Sequence, residues 1–291
     1  MTDGAGQDAS AVVLRLILGK QLEQLRKRAG LTYTQAAQAI GVSDATVRRM
    51  ENAKVARLRP AEVEKLLRLY GVTGEQEIAA FLRSVEEAGR RGWWHSFRDV
   101  MPDWYPSYLS LEQAATQIRT YEPQFVHGLL QTEGYLRAQV TSGNPHTPPE
   151  VTERRVALRL RRQDVLHRRD PPHLWVVMDE TALRRPVGGA EVMRAQLDHL
   201  LAVEELPHVV LQIMRFDRGI HPAMSSGAFH LFRFQAREMP DVVYVSGLLD
   251  AVYLDKPEDV VVYRETLDRL SAQAPSVRTT RATLESLRDE F

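Results

Sequence analysis

The sequence contains no cysteine, which excludes disulfide bonds, cysteine-ligated zinc sites and thiol nucleophiles. No apolar run approaches the roughly 18 residues that a membrane-spanning helix needs, and the stretch MTDGAGQDAS lacks the pattern of a signal peptide. Lysine is scarce, with 5 residues against 33 arginines. The chain has no net charge at pH 7, because its 38 basic residues balance 38 acidic ones. Taken alone, this balance argues against nucleic-acid binding. We expect a cytoplasmic protein.

The charge is nevertheless distributed unevenly along the chain. Residues 12–72 carry twelve basic and five acidic side chains, a net charge of +7, so the rest of the chain carries −7. Such an asymmetry is typical of a basic segment that binds nucleic acid beside a domain with another role. The alternative is a cationic surface that is simply solvated.

The basic segment is predicted to be helical because its apolar residues recur with the 3.6-residue helical period. Thr32 and Gln35 have the spacing of a capping box, and Gly41 can adopt the left-handed conformation that ends a helix. Ser43 is a favourable N-cap for the helix that follows. The five predicted helices are residues 12–28, Tyr33–Ile40, Asp44–Asn52, a helix that begins at Pro60, and Glu75–Ala88.

Residues 31–52, LTYTQAAQAIGVSDATVRRMEN, predict a helix-turn-helix, with the small Ala37 where two short helices cross. With five helices at these spacings, the region resembles the Xre/Cro family of phage-repressor-like DNA-binding domains. In that family the second helix of the pair enters the major groove of DNA. The resemblance also implies that Arg26 and Glu51 form an ion pair with a structural role.

The resemblance assigns candidate DNA contacts residue by residue. Arg49 can bond guanine bidentately, and Tyr33, which replaces the glutamine usual at its position, is expected to contact a phosphate through its hydroxyl. The candidate base-reading residues are Asp44, Ala45, Thr46 and Arg49. The candidate phosphate contacts are Tyr33, Ser43, Arg48, Asn52, Lys54, Arg57 and Arg59.

An aromatic-rich segment follows the helical head. Six of the 21 aromatic residues fall within residues 93–108, so this segment is expected to be buried rather than to act as a flexible linker. We interpret it as a non-helical strap on the core of the second domain, or alternatively as a ligand cage or subunit interface. The aromatic residues are Trp93, Trp94, Phe97, Trp104, Tyr105 and Tyr108.

The remaining residues combine helical and strand patterns. Predicted helices are Ser110–Tyr121, a helix capped by Thr132 that runs to Gln139, Thr152–His167, Glu191–Glu205, Pro257–Ala272 and Thr283–Asp289. Predicted strands are Leu174–Asp179, Val209–Met214, Ala228–Phe234, Val242–Val245 and Ala251–Leu254. Strands that cluster after helices predict an α+β domain with an antiparallel sheet.

Three stretches of this region resemble the domain of unknown function that follows Xre heads in many actinomycete regulators. They are residues 104–138, residues 176–189 (VVMDETALRRPVGG) and residues 209–234. Such regulators are associated with development and antibiotic production, often beside a small partner protein encoded nearby. The sequence departs from the family at His127, where proline is usual, and at Val245-Ser246, where glutamate commonly stands second.

We expect no catalysis, metal or cofactor, because the nine histidines lack helical metal-binding spacings and no nucleotide-binding or nucleophile motif is present. One further basic stretch is interpreted as a solvated helix face, the alternative being a surface for DNA or an acidic partner. Its arginines are Arg154, Arg155, Arg159, Arg161, Arg162, Arg168 and Arg169.

The sequence therefore predicts an all-α helix-turn-helix head followed by an α+β domain. Its predicted divisions are a disordered tail (1–11), the head (12–89), an aromatic strap (90–108) and a regulatory or dimerisation domain (109–291). We expect a nucleoid-associated homodimer that binds a palindromic operator in double-stranded DNA, a repressor by default, and that senses a small molecule or a neighbour-encoded protein. The alternative is an antitoxin-like module that binds a small partner protein and uses DNA binding for autoregulation.

Overall fold

The computed structural model describes residues 15, 18–52, 55, 58–89, 92–143, 145–235, 240–248 and 250–291. The predicted tail, the start of the first helix, and the candidate phosphate contacts Lys54 and Arg57 lie outside these residues. The chain divides into two compact units, one made of residues 1–95 with 109–114 and the other of residues 96–108 with 115–291.

The first unit contains the five predicted helices. They are α1 (residues 18–28), α2 (Tyr33–Ile40), α3 (Asp44–Glu51), α4 (Pro60–Leu69) and α5 (Glu75–Glu87). The predicted capping box is present at Thr32 and Gln35, and Gly41 ends α2 with φ 76° and ψ 36°. Leu22, Val47 and Leu66 are fully buried where the helices meet. These contacts confirm the helical head.

The second unit is built on a six-stranded sheet with the order β3-β2-β1-β4-β5-β6. Its strands are β1 (Gln117–Glu122), β2 (His173–Asp179), β3 (Val209–Met214), β4 (Phe229–Arg233), β5 (Val242–Ser246) and β6 (Ala251–Leu254). The α-helices that follow the head are α6 (Tyr105–Ala114), α7 (Glu133–Gly143), α8 (Pro149–Arg162), α9 (Glu180–Arg184), α10 (Ala190–Val203), α11 (Pro257–Gln273) and α12 (Val277–Glu290). Short 3-10 helices lie at Trp93–Val100, Gly128–Leu130, Gln163–Leu166 and Phe216–Arg218.

The sheet is mixed, so the prediction of an antiparallel sheet is wrong. β1 pairs with β2 and β2 with β3 in parallel, while β4, β5 and β6 continue the sheet in antiparallel pairs. Helices α7 and α8 connect β1 to β2, and α9 and α10 connect β2 to β3. Parallel neighbours require such long crossovers, whereas the antiparallel strands follow one another through shorter loops.

Two local predictions are corrected as well. The helix predicted for Ser110–Tyr121 ends at Ala114, and Gln117–Glu122 forms the central strand β1. The aromatic segment is not a non-helical strap, since it forms a 3-10 helix over Trp93–Val100 and enters α6 at Tyr105. The five strands predicted after β1 are confirmed.

The two faces of the sheet have different surroundings. Helix α11 covers one face, where Leu267 and Leu270 pack with Phe229 and Val243. The opposite face carries buried polar side chains among its apolar residues, including Thr120 and Glu122 on β1 and His230 on β4.

Candidate functional site

Helix α3 is held so that one face enters the core and the other remains open. Val47 and Met50 are buried, whereas Ala45 and Arg49 are exposed. The Ser43 hydroxyl caps the helix by accepting the Thr46 N–H at 3.3 Å, as predicted. The first-turn amides of a helix have no intrahelical acceptors, so this end of α3 favours an anion such as a phosphate.

The four candidate base-reading residues lie together on α3. Within the described part of the chain, the side-chain hydrogen bonds of Arg49 are to its own helix, from Nε to the Ala45 carbonyl at 3.3 Å and from Nη2 to Thr46 Oγ1 at 3.5 Å. Thr46 is half-buried. Asp44 is exposed, but its Oδ2 accepts a 2.6 Å hydrogen bond from the Thr34 hydroxyl, which ties α3 to α2.

The described phosphate-contact candidates lie in the same unit as this helix. The ring of Tyr33 is half-buried and lies 3.9 Å from the Arg26 guanidinium carbon and 4.6 Å from that of Arg48. The Asn52 side chain donates to the Arg48 carbonyl at 2.8 Å. Arg59 is exposed and pairs with Glu62 at 3.1 Å, a contact of little energetic weight at the surface.

The predicted ion pair between Arg26 and Glu51 is present. The guanidinium donates from Nε to Oε1 at 2.8 Å and from Nη2 to Oε2 at 2.9 Å, and its Nη1 donates to the Leu31 carbonyl at 2.8 Å. Both side chains are buried, and the hydrogen bonds to Glu51 raise the pKa of Arg26. The pair fixes α1 to the end of α3, so it supports the helix that carries the candidate base-reading residues.

Sequence reasoning missed one residue that supports α3. A Cβ added at Gly19 would lie 2.5 Å from the Glu51 carbonyl oxygen and 2.9 Å from that of Met50. Only glycine permits α1 to approach α3 this closely. A glycine inside an otherwise regular helical pattern was the signal available in the sequence.

The six aromatic candidates are divided between the two units. Trp93 and Trp94 contact each other in the first unit, with ring centroids 5.8 Å apart. In the second unit, Tyr105 contacts the rings of Trp104 at 5.3 Å and Tyr108 at 5.6 Å. The remaining candidate, Phe97, is half-buried and lies against Arg154, whose guanidinium carbon is 5.4 Å from the ring centroid.

A buried polar cluster lies beside Tyr108 in the second unit. It contains Glu122, His127 and His230, whose candidate ligand atoms all lie within 4.8 Å of one another. Glu122 Oε1 is 3.4 Å from His230 Nε2 and 3.9 Å from His127 Nε2. Sequence spacing did not reveal this set, although His127 is the position that departs from the family pattern.

Two histidines and a carboxylate form a donor set that binds transition metals in other proteins. Here His127 Nδ1 accepts the Leu129 N–H, so in the neutral ring Nε2 carries the proton and is not a lone-pair donor. The positive charge of Arg162 also acts on all three groups. The cluster therefore fits a neutral polar network better than a cation site.

Burial controls the charge of the cluster. It raises the pKa of Glu122 to about 8, although the Thr120 hydrogen bond and Arg162 oppose the rise. It lowers the pKa of His230 to about 3 and holds that of His127 well below the usual range, with Arg162 adding to both effects. All three side chains are consequently uncharged near pH 7.

Arg162 connects the cluster to the aromatic residues, and its burial corrects the prediction that the whole Arg-rich helix face is solvated. Its Nη1 donates to Tyr105 Oη at 3.0 Å and its Nη2 to Tyr108 Oη at 3.1 Å. The side chain is only 7% exposed, so its aliphatic part and its charge are both enclosed by protein.

The N-terminal part of the chain is similar to known helix-turn-helix proteins. Residues 17–81 match the family described as "Helix-turn-helix domain" (HTH_31). A Bacillus subtilis (strain 168) protein, "Uncharacterized HTH-type transcriptional regulator RghRB", is 39% identical over 62 residues, which are 21% of this chain and 45% of that protein. The chain thus matches less than half the length of this relative, and no solved structure gives a significant match.

Among the described residues, no helix is both long and apolar enough to cross a membrane. The helix-turn-helix match covers α2 and α3 and agrees with their geometry. Residues 105–286, more than half of the chain, match the description "Domain of unknown function (DUF5753)". The protein belongs to this DUF5753 family and carries a helix-turn-helix domain before the family's domain.

Proposed function

We propose that this protein is a sequence-specific transcriptional regulator that binds a palindromic operator as a homodimer. Residues 12–89 form the DNA-binding head, residues 90–108 connect it, and residues 109–291 dimerise and sense a ligand or partner. It acts as a repressor when its operator overlaps a promoter, because the bound dimer blocks access to that promoter. The proposed role is non-enzymatic.

The exposed face of α3 is the observation that carries this proposal. Ala45 and Arg49 lie on the exposed face of α3, whose opposite face is fixed in the core by Val47 and Met50. Arg49 has no acidic partner among the described residues, so its guanidinium is available to guanine O6 and N7. The net charge of +7 on residues 12–72 supplies the attraction to the phosphate backbone.

The remaining candidates are assigned by their positions around α3. Ala45 and Thr46 contact base edges beside Arg49. Asp44 accepts a hydrogen bond from a base edge through its Oδ1, because its Oδ2 already accepts one from the Thr34 hydroxyl. The Arg48 guanidinium lies over the ring of Tyr33, and both side chains contact the phosphates of one strand. Ser43 acts through the capped end of α3, and Asn52 and Arg59 contact the backbone further along.

Selection of binding sites from a random double-stranded DNA library, with the full chain as bait, tests the proposal. We expect two inverted half-sites whose centres are about 10 base pairs apart or a multiple of that spacing. Light scattering of the complex should give two chains per site, and affinity should fall steeply with salt concentration. Enrichment of no sequence, or of a single half-site bound by one chain, would contradict the proposal.

A further inference from the structure

The second unit contains a large cleft that the DNA-binding role does not use. Its volume is about 1010 Å³, at the upper end of the range for small-molecule sites. Its walls are residues 99–105, the second half of α7, the middle of α8, and the loop 185–188.

Three arginines line this cleft. Arg155 and Arg159 are half-buried on α8, and Arg185 is exposed on the loop after α9. Arg159 Nη1 donates to Gln139 Oε1 at 2.9 Å, which holds the guanidinium in the wall. Burial lowers the pKa of Arg159, and the nearby charges of Arg162 and Arg155 lower it further.

Negative charge in the cleft does not balance these arginines. Asp99 is the one carboxylate in the lining, and Arg154 already binds it through Nε to Oδ2 at 3.0 Å and Nη2 to Oδ1 at 2.7 Å. Within the described part of the chain, Arg155, Arg159 and Arg185 form no ion pair with a carboxylate. The cleft therefore concentrates positive charge that an anion would neutralise.

Apolar surface lies beside this positive charge. Trp104 presents a half-buried indole, and Phe125 and Leu248 are 36% and 99% exposed. Exposed rings and aliphatic side chains around a concave surface are typical of a ligand site, because burial of apolar ligand atoms there is favourable.

We propose that the cleft binds an amphipathic organic anion, whose carboxylate or phosphate group contacts Arg155, Arg159 and Arg185 and whose flat apolar body packs against Trp104 and Phe125. The paired features determine this class of ligand, since a neutral apolar molecule would leave the arginines unneutralised and a bare inorganic anion would leave the apolar wall exposed. The inference deepens the sensing role proposed above and rests on it. Binding is measured without DNA, so failure here and failure of operator binding are separate results.

Fluorescence titration of the full chain with 8-anilinonaphthalene-1-sulfonate, an aromatic anion, provides the test. The uncharged N-phenyl-1-naphthylamine, which has the same rings without the sulfonate, is the matched probe. We expect one saturable site for the anion, binding at least about tenfold tighter than the neutral probe and weakened by salt. Displacement by 1-naphthoate and by 1-naphthyl phosphate, compared with neutral 1-naphthalenemethanol, shows which anionic group is preferred.

Arginine substitutions then locate the site. Arg159→Gln should weaken binding of the anion about tenfold, and Arg185→Gln, at an exposed position that folding does not require, should weaken it about threefold. Arg194→Gln, at an exposed arginine of α10 outside the cleft, should leave binding unchanged. Equal binding of both probes, or an unchanged affinity in both cleft variants with circular dichroism of the native protein, would overturn the proposal.

Discussion

Replacing Glu51 with glutamine should destabilise the helix-turn-helix head more than any surface substitution. Glu51 and Arg26 are 1% and 6% exposed, so solvent does not screen their interaction. The substitution keeps the size of the side chain but removes the negative charge that accepts two hydrogen bonds, at 2.8 and 2.9 Å. The glutamine amide keeps one acceptor oxygen, but the Arg26 guanidinium then remains buried without a countercharge and with one of its three original acceptors replaced by an NH2 donor.

The expected loss follows from that uncompensated charge. Removing one partner of a buried, hydrogen-bonded ion pair costs about 3–5 kcal/mol of the free energy of unfolding. A double variant, Arg26→Met with Glu51→Leu, should recover most of this loss, because apolar side chains of similar volume leave no charge buried. Each of the two charges is therefore needed mainly to neutralise the other, and the ion pair as a whole adds little to the free energy of unfolding.

Hydrogen exchange of the full chain, followed by mass spectrometry over a urea series, measures the opening free energy of peptides from residues 18–89. Lys27→Gln is the matched control, since Lys27 is 66% exposed in its pair with Glu23 and should contribute less than about 0.5 kcal/mol. A loss below about 1 kcal/mol in Glu51→Gln, or no recovery in the double variant, would refute the reasoning.

Three further substitutions test other parts of the structure. Because the pKa of Glu122 is raised to about 8, the protonated carboxyl favours the folded state, and this stability is lost as the pH rises towards 8. The free energy of unfolding of Glu122→Gln, measured in urea, should therefore rise by about 2 kcal/mol relative to that of the native protein between pH 6.5 and 8. A difference that stays constant over this range would contradict the prediction. Gly19→Ala should lower the thermal stability of the head because its Cβ would clash with the Glu51 carbonyl oxygen at 2.5 Å, and an unchanged melting temperature would refute that close approach. Gly41→Ala should cost about 1–2 kcal/mol in chemical denaturation, since Gly41 has φ 76°, and an equally stable variant would show that the turn is not left-handed in solution.

The helical head could be predicted in detail because its signals are local. The capping box at Thr32 and Gln35, the turn at Gly41 and the cap at Ser43 each lie within a few residues of the helix end they define. The apolar period then determined which side of α3 enters the core, and hence that Arg49 lies on the exposed side.

The order and direction of the strands could not be read in this way. Gln117–Glu122 is short and follows a helix directly, so its apolar residues extended the helical pattern and concealed the central strand. With β1 missing, the crossover from β1 to β2 was not recognised. The predicted helix between β2 and β3 is the kind of crossover that joins parallel strands, but it does not by itself show that the two strands are neighbours. Strand direction depends on contacts between distant segments, which periodicity does not record.

The buried polar cluster was hidden for the same reason. Glu122 lies on β1, His127 in the loop after it, His230 on β4 and Arg162 at the end of α8. No spacing along the chain relates these four positions, and each is polar where an apolar residue would be the usual choice for burial. Only the folded sheet brings them together.

Binding-site selection with the Arg49→Ala variant, compared with selection by the native chain, tests most directly whether α3 reads DNA sequence. We predict that the variant loses its preference for guanine at one position of each half-site and binds the native site about 5- to 150-fold more weakly, which corresponds to about 1–3 kcal/mol. Its affinity for unrelated DNA should fall only slightly, as one phosphate-attracting charge among twelve is lost. An identical selected motif with unchanged affinity would contradict the assignment of α3 as the DNA-reading helix.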